Sequence, residues 1–515
     1  MKPIQLQDET LLSRVSEKVI IVLLLLLPFI QAIRLFYERT TLTPEYIKMF
    51  YVFLFFFVLL IAVLMIGKKS RISLSLEILI IILVTLLSLF LRLADCYLLK
   101  TQPISDFRSC YYYAINGTGG AYMTDVHYLG VYAVTMKIFM GLFGQSVSSA
   151  QIFNALVTSM IPAVLYITVK YGFDSRRAAL VSAILYAVFP SMILYTGILS
   201  CENVAMFFLI LTIMFLTLAW KSRAKNTKYL QWVFIALAGI SCGLLNLYKP
   251  IAFMLMAAVC ITEIVYFLYK AIKDSIKSKT FMVKKVITPI IVILSLFGFN
   301  TLITAIGTNL LYHHTGLQPQ NSTSYMASAF EGLYSLGKGS YKIEVKELVG
   351  NVKNEYGNKA DNILYQMLID DIKKDPSSFY HLLENKTYRS WSSEKEYFTW
   401  ATYDNASVLD LTKTKKYILA ASDVYYIYLL LLAAAGLVIR FFRKRKANYT
   451  FILISSVIFI IAAAFLLIES QGRYKSVVMP LLCILAGMGL FEIGSLLQTL
   501  AGKVWMKLKK PIAKS

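Results

Sequence analysis

Twelve long apolar runs decide most of what this chain can fold into. They lie near residues 18–36, 49–66, 74–93, 150–170, 178–196, 203–220, 231–247, 250–270, 286–306, 423–440, 449–468 and 475–497. A helix of about 20 such residues crosses the hydrocarbon of a bilayer, and helices are the default there because lipid offers the backbone no hydrogen-bond partner. Of 515 residues, 58% are hydrophobic and only 16% charged, well below the roughly 25% charge of soluble domains. The expected fold is therefore an all-α polytopic membrane protein. Residues 1–17 are mixed in charge and no small-residue cleavage site follows the first run, so that run is read as a retained span.

The net charge is +23, from 52 Lys and Arg against 29 Asp and Glu. The polar segment 307–421 contains 13 basic and 13 acidic residues and is neutral. The surplus thus sits in short connectors beside the apolar runs. That distribution fits the positive-inside pattern and an anionic leaflet, and argues against nucleic acid as a partner.

Topology then turns on one short apolar stretch, 128–144, which carries Lys137. With the N-terminus in the cytoplasm, Gly67-Lys68-Lys69-Ser70-Arg71 is inside and 94–127 outside. If 128–144 crossed, Arg176, Arg177 and the basic segments 271–285 and 440–446 would face outward. If it does not, all of them lie inside with 221–228 and the tail 503–510. The stretch is therefore read as a re-entrant or juxtamembrane helix. The result is about 12 transmembrane helices, cytoplasmic termini, and a mixed extracytoplasmic domain at 307–421. Three units follow: 1–306, a transmembrane catalytic module with extracytoplasmic loop 94–149; 307–421; and 422–515, the C-terminal transmembrane helices. Within 307–421, Asp375-Pro376 predicts a helix start, and Leu364, Met367, Leu368 and Ile372 have helical spacing.

Four outside segments carry candidate chemistry. Asp106 lies in Ser105-Asp106-Phe107 ahead of Tyr111, Tyr112 and Tyr113. A carboxylate there suits a general base; the alternative is a solvated loop residue beside an interfacial aromatic belt. Glu202 follows Ser200-Cys201 where one span ends and the next begins. It is either a functional acid or a helix N-terminal residue favoured by the dipole. Arg473, in Glu469-Ser470-Gln471-Gly472-Arg473-Tyr474-Lys475, and Lys249 are basic on the face where cations are unexpected. A guanidinium can grip a phosphate in bidentate fashion, or it can simply snorkel. His127 lies where the outside loop meets the 128–144 stretch, and a lone histidine there is either structural or of local use. The six cysteines lack metal-site spacing, and Cys96 and Cys110 either pair or stay free. Two carboxylates and two cations at one face suit glycosyl transfer from a lipid-phosphate donor. A base deprotonates the acceptor hydroxyl while cations receive the departing phosphate.

In order along the chain, these segments resemble the polytopic GT-C glycosyltransferases, notably the bacterial group similar to protein O-mannosyltransferases and aminoarabinose transferases. The resemblance spans roughly 90–490. It rests on Ser105-Asp106-Phe107 with its tyrosines, Pro190-Ser191 with Ser200-Cys201-Glu202, Asp375-Pro376 through Lys386 to Trp391, and Arg473-Tyr474 with Pro480. It implies an inverting transfer from a polyprenyl-phosphate-sugar to an acceptor outside the cytoplasm, with Asp106 as the catalytic residue. Glu202 takes the place of the acid after the later span, and Arg473, Lys249 and Tyr474 are expected at the donor phosphate. Two features depart from the group. Phe107 follows Asp106 where many relatives have Asp-Glu, and Val126-His127-Tyr128-Leu129-Gly130 replaces a Pro-containing stretch. The acceptor therefore need not be a protein hydroxyl, and His127, Tyr111 and Tyr112 are candidates for an acceptor or local role.

The sequence thus suggests a membrane glycosyltransferase, transferring a hexosyl or pentosyl group to an envelope glycan, teichoic acid, lipid or protein. No cofactor is required, and a divalent metal is left open because some relatives bind one. The alternatives are a flippase or transporter of lipid-linked saccharides, and a polymerase or ligase using the same donors.

Overall fold

The computed structural model describes residues 18–19, 43–66, 73–117, 127–224, 227–275, 283–315, 324–404, 407–443 and 448–508. Their regular structure is helical, with no strand among the described residues. Nine described helices are long and apolar enough to cross a membrane: this is a multi-pass membrane protein. A tenth run, 178–196, forms two helices, Arg176–Ala187 and Pro190–Thr196, bent by 53°. Proline removes an N–H and frees carbonyls one turn back. Arg92 Nη1 donates to one of them, Ala187 O, at 3.3 Å. The run 250–270 lies in helix Ala252–Ser275, of which Ala252–Val265 counts as a shorter apolar helix. The first run, 18–36, falls almost wholly outside the described residues.

Helices Pro44–Ile66, Leu74–Leu99 and Val283–Thr315 present apolar side chains outward, with only 11% of each apolar window buried. The last span, Gly472–Gly502, is the most enclosed, with 89% of its window buried. It crosses helix Leu411–Phe442 at Gly436 and Gly489, where a methyl group on Gly436 would lie 2.4 Å from Gly489 Cα. Such close backbone approach is how small residues hold membrane helices together.

Contacts between chain-distant residues define two ends of the bundle. At one, Arg177 Nη1 donates to Leu64 O (3.3 Å), Asn448 Nδ2 to Gly172 O (2.8 Å) and Gln498 Nε2 to Met65 O (2.7 Å). Lys170 and Arg176 both meet Glu77, and Lys221 pairs with Asp174 at 2.5 Å. The basic connectors depart from this end. At the other end, Gln151 Nε2 donates to Thr101 O (2.8 Å) and Gly197 O (2.9 Å), and Thr101 Oγ1 to Ala401 O (2.7 Å). Helix His127–Phe143 has 17 residues, short for a span. Both its termini stay near this second end. Leu129 O faces the Cys110 thiol, and Phe143 O accepts from Ser149 Oγ at 3.2 Å, two residues before Gln151. This is the behaviour expected of a re-entrant or juxtamembrane helix.

The segment read as a mixed domain is helical in its described residues, 324–404. It has its own small core of Ala327, Phe330, Val345, Val349, Leu364 and Leu368. Asp375 caps helix Pro376–Trp391 by accepting from Ser378 N at 2.9 Å, as its sequence predicts. The neighbouring spans outrun the limits drawn from hydropathy. Helix Val283–Thr315 continues past 306, and helix Leu411–Phe442 begins before 422. Cys96 and Cys110 are both free and buried, so the disulfide alternative fails.

Candidate functional site

The four charged residues singled out in the sequence meet at the second end of the bundle. Asp106 lies in the first turn of helix Ser105–Asn116. The preceding Ser105 adopts φ 51°, a left-handed backbone that a non-glycine residue occupies at a cost. The Asp106 side chain is 37% exposed. Its Oδ2 lies 3.6 Å from Arg473 Nη2, whose side chain is only 7% exposed.

Arg473 is held from every side. Its Nε donates to Gln471 Oε1 at 2.6 Å, and its backbone N–H to Glu396 Oε2 at 3.0 Å. Its guanidinium carbon lies 4.8 Å from the Phe107 ring centre, 5.1 Å from Trp400 and 5.6 Å from Tyr474. Aromatic faces attract a cation while shedding its water, so the charge is fixed and poorly hydrated.

Glu202 is buried at the start of helix Glu202–Ala224. Lys249 Nζ bonds its Oε1 at 2.5 Å, and Ser200 Oγ donates to its Oε2. Tyr195 and Ser200 share a hydroxyl contact at 2.9 Å. Lys249 follows helix Lys228–Tyr248 in extended backbone, and its Nζ lies 4.6 Å over the Tyr474 ring. Tyr474 therefore touches both cations. The result is two acid–base pairs, one half-open and one closed, bridged by an aromatic ring.

The other candidates sit differently. Tyr111 and Tyr112 contact each other, with ring centres 6.2 Å apart. At 100° per residue they point roughly 140° and 240° around the helix from Asp106. Tyr111 is half-buried, which pushes its phenol up, and Tyr112 is exposed. The His127 side chain lies outside the described residues. On the same helix as Asp106, burial and the nearby carboxylate push the Cys110 thiol up, so it stays protonated. Among the described residues no three or more His, Cys, Asp or Glu gather as a metal site.

Sequence reasoning missed Trp400, Glu396 and Gln471 as residues that hold Arg473. Gln471 is only two positions from Arg473 along the chain, and that proximity was the one available signal. Trp400 and Glu396 lie on helix Lys395–Thr402 of the 324–404 segment, and nothing local signals their approach. The structure also shows a buried pair behind Arg473: Lys475 Nζ lies 2.8 Å from Glu394 Oε1, with both side chains 0% exposed. Burial pushes the Glu394 carboxyl up and Lys475 opposes the shift. Lys386, in the Pro…Lys…Trp stretch, donates from Nζ to Gly332 O and Ile468 O, each at 2.7 Å. It thereby ties the helical domain to the connection carrying Arg473.

Residues 131–298 match the family model for dolichyl-phosphate-mannose-protein mannosyltransferase. The match supports a polytopic GT-C glycosyltransferase. It includes Glu202 and Lys249 but neither Asp106 nor Arg473. No curated protein matches the chain. Among solved structures, ArnT from Cupriavidus metallidurans in the apo state is similar at 10% identity and TM-score 0.32, covering 80% of this chain and 76% of that one. The same protein bound to undecaprenyl phosphate aligns at 11% identity and TM-score 0.32, covering 83% and 77%.

Proposed function

We propose that this chain is an inverting glycosyltransferase that moves a sugar from a polyprenyl-phosphate-sugar donor to an envelope glycan, teichoic acid, lipid or protein on the outer face of the membrane. One observation carries the reading: Asp106 is half-open beside Arg473, at the bundle end opposite the basic connectors.

Asp106 serves as general base. It accepts the proton of an acceptor hydroxyl as that oxygen bonds the anomeric carbon and the carbon–phosphate oxygen bond breaks. The polyprenyl phosphate leaves with the bonding electrons. Arg473, already stripped of water, stabilises the charge growing on it. Lys249 is the second phosphate contact, with Tyr474 between the two cations. Glu202 is buried against Lys249 and Ser200, so its role is to hold Lys249 in place and set the local charge. The donor tail lies among the spans, which fixes the site at headgroup level. By the positive-inside pattern, both termini and the basic connectors are cytoplasmic.

The test is turnover of a synthetic polyprenyl-phosphate-sugar by purified Asp106→Asn protein. Loss of turnover with the fold intact supports the assignment, and full turnover removes Asp106 as the base.

A further inference from the structure

A second polar site lies at the basic-connector end of the bundle, away from the charged quartet. Its walls come from helices Glu202–Ala224, Lys228–Tyr248, Ala252–Ser275, Val283–Thr315 and Tyr449–Leu467. Trp220, Arg223, Gln231, Glu263 and Tyr449 supply its polar and aromatic lining. Trp220 immediately precedes Lys221, whose pair with Asp174 belongs to that end. The space is about 20 Å³, partly open. A cavity needs roughly 10–15 Å³ to hold one water-sized group, so this one admits a group of that size while the rest of a ligand stays outside.

The lining is polar and partly open. Glu263 is 5% exposed and receives one hydrogen bond, from Tyr449 Oη at 2.8 Å. Gln231 is 7% exposed and lines the same cleft. Arg223 lies close enough for its charge to act on Glu263. The Trp220 and Tyr449 rings are nearly parallel, 4° apart, with centres at 5.8 Å. A carboxylate, an amide, a guanidinium and two aromatic rings thus line one small cleft.

We infer that this cleft binds the headgroup of a membrane lipid carrying a primary ammonium next to a phosphate. The ammonium donates to Glu263 and Gln231 and lies against the aromatic rings, which favour cations. Arg223 meets the phosphate at the cleft mouth. A primary ammonium matches the space, whereas a trimethylammonium is too wide for it. The acyl chains run along the apolar spans.

The experiment uses the full-length purified protein in nanodiscs of phosphatidylglycerol alone, or with one quarter phosphatidylethanolamine or phosphatidylcholine. The unfolding midpoint is read in each, and bound lipid is counted by native mass spectrometry. Phosphatidylethanolamine should raise the midpoint by about 3–5 °C and be retained; phosphatidylcholine should do neither. Glu263→Gln keeps an acceptor for Tyr449 and should erase the preference while leaving the phosphatidylglycerol midpoint near wild type. If Glu263→Gln unfolds, Arg223→Gln provides the second variant and should weaken the preference. Equal midpoints in the three lipids, or a preference surviving both substitutions, overturns the site. Soluble phosphoethanolamine giving the full shift overturns the lipid as occupant.

Discussion

The two ends of this bundle treat charge in opposite ways. At the basic-connector end, Lys170 and Arg176 share a single buried carboxylate, Glu77, beside the more open pair Lys221–Asp174, and the connectors themselves carry surplus Lys and Arg. At the far end, acids and bases are matched: Asp106 with Arg473, Glu202 with Lys249, and Glu394 with Lys475. Surplus cations at span ends follow the side of the membrane on which a connector stays. Matched, buried pairs are a different matter. Desolvating both members costs several kcal/mol per ion, and attraction offsets it only with good geometry. The far end therefore carries a penalty that orientation in the membrane does not explain and that the proposed transfer from a phosphorylated donor does.

Four substitutions put this contrast under strain, the most severe first. Asp106→Asn should lower turnover about 10³-fold, within the usual range for losing a general base, with little change in unfolding midpoint. Steady-state transfer from polyprenyl-phosphate-sugar measures the first and thermal unfolding the second. Glu202→Gln leaves Lys249 buried without its counter-charge, so it should destabilise by about 3–5 kcal/mol, read by denaturant unfolding in detergent. A purely catalytic role would leave that stability untouched. Arg473→Lys keeps the charge but loses the planar fork and its fit among three rings, which should cost about 10²-fold in kcat. Recovery of full rate in this variant would reduce Arg473 to a point charge.

The mildest change concerns Lys386. Burial pushes it down from its ordinary 10.5 to about 8. Between about pH 8 and 10.5 the unfolded chain keeps a proton that the folded chain has released, so this residue should make stability rise with pH across that window. Lys386→Met should flatten the rise and, by orphaning Gly332 O and Ile468 O, destabilise by about 1–3 kcal/mol. A pH profile unchanged in the variant would show that Lys386 is not the titrating group.

Spans were legible because a membrane imposes length and apolarity locally. The runs at 49–66 and 74–93 reappear as Pro44–Ile66 and Leu74–Leu99. The cap at Asp375 was legible for the same reason, since a few neighbouring residues suffice to make it. The bend between Ala187 and Pro190 was not foreseen, although Pro190 marked the place. The helical character of 324–404 was only half visible, in Leu364 and Leu368. Trp400 beside Arg473 had no sequence signal, because that neighbourhood joins residues far apart in the chain. Arg92 escaped notice inside an apolar run, yet it is fully buried and bonds Ser88 and Ala187.

The short helix His127–Phe143 has a consequence for the whole chain downstream. Because both of its ends lie near the same end of the bundle, it adds no crossing. Lengthened into a true crossing, it would reverse the direction of every later span relative to the first ones. Asp106 would then be separated from Glu202, Lys249 and Arg473 by the thickness of the bilayer. One short helix thus acts as the parity bit on which the meeting of the early and late halves of the chain depends.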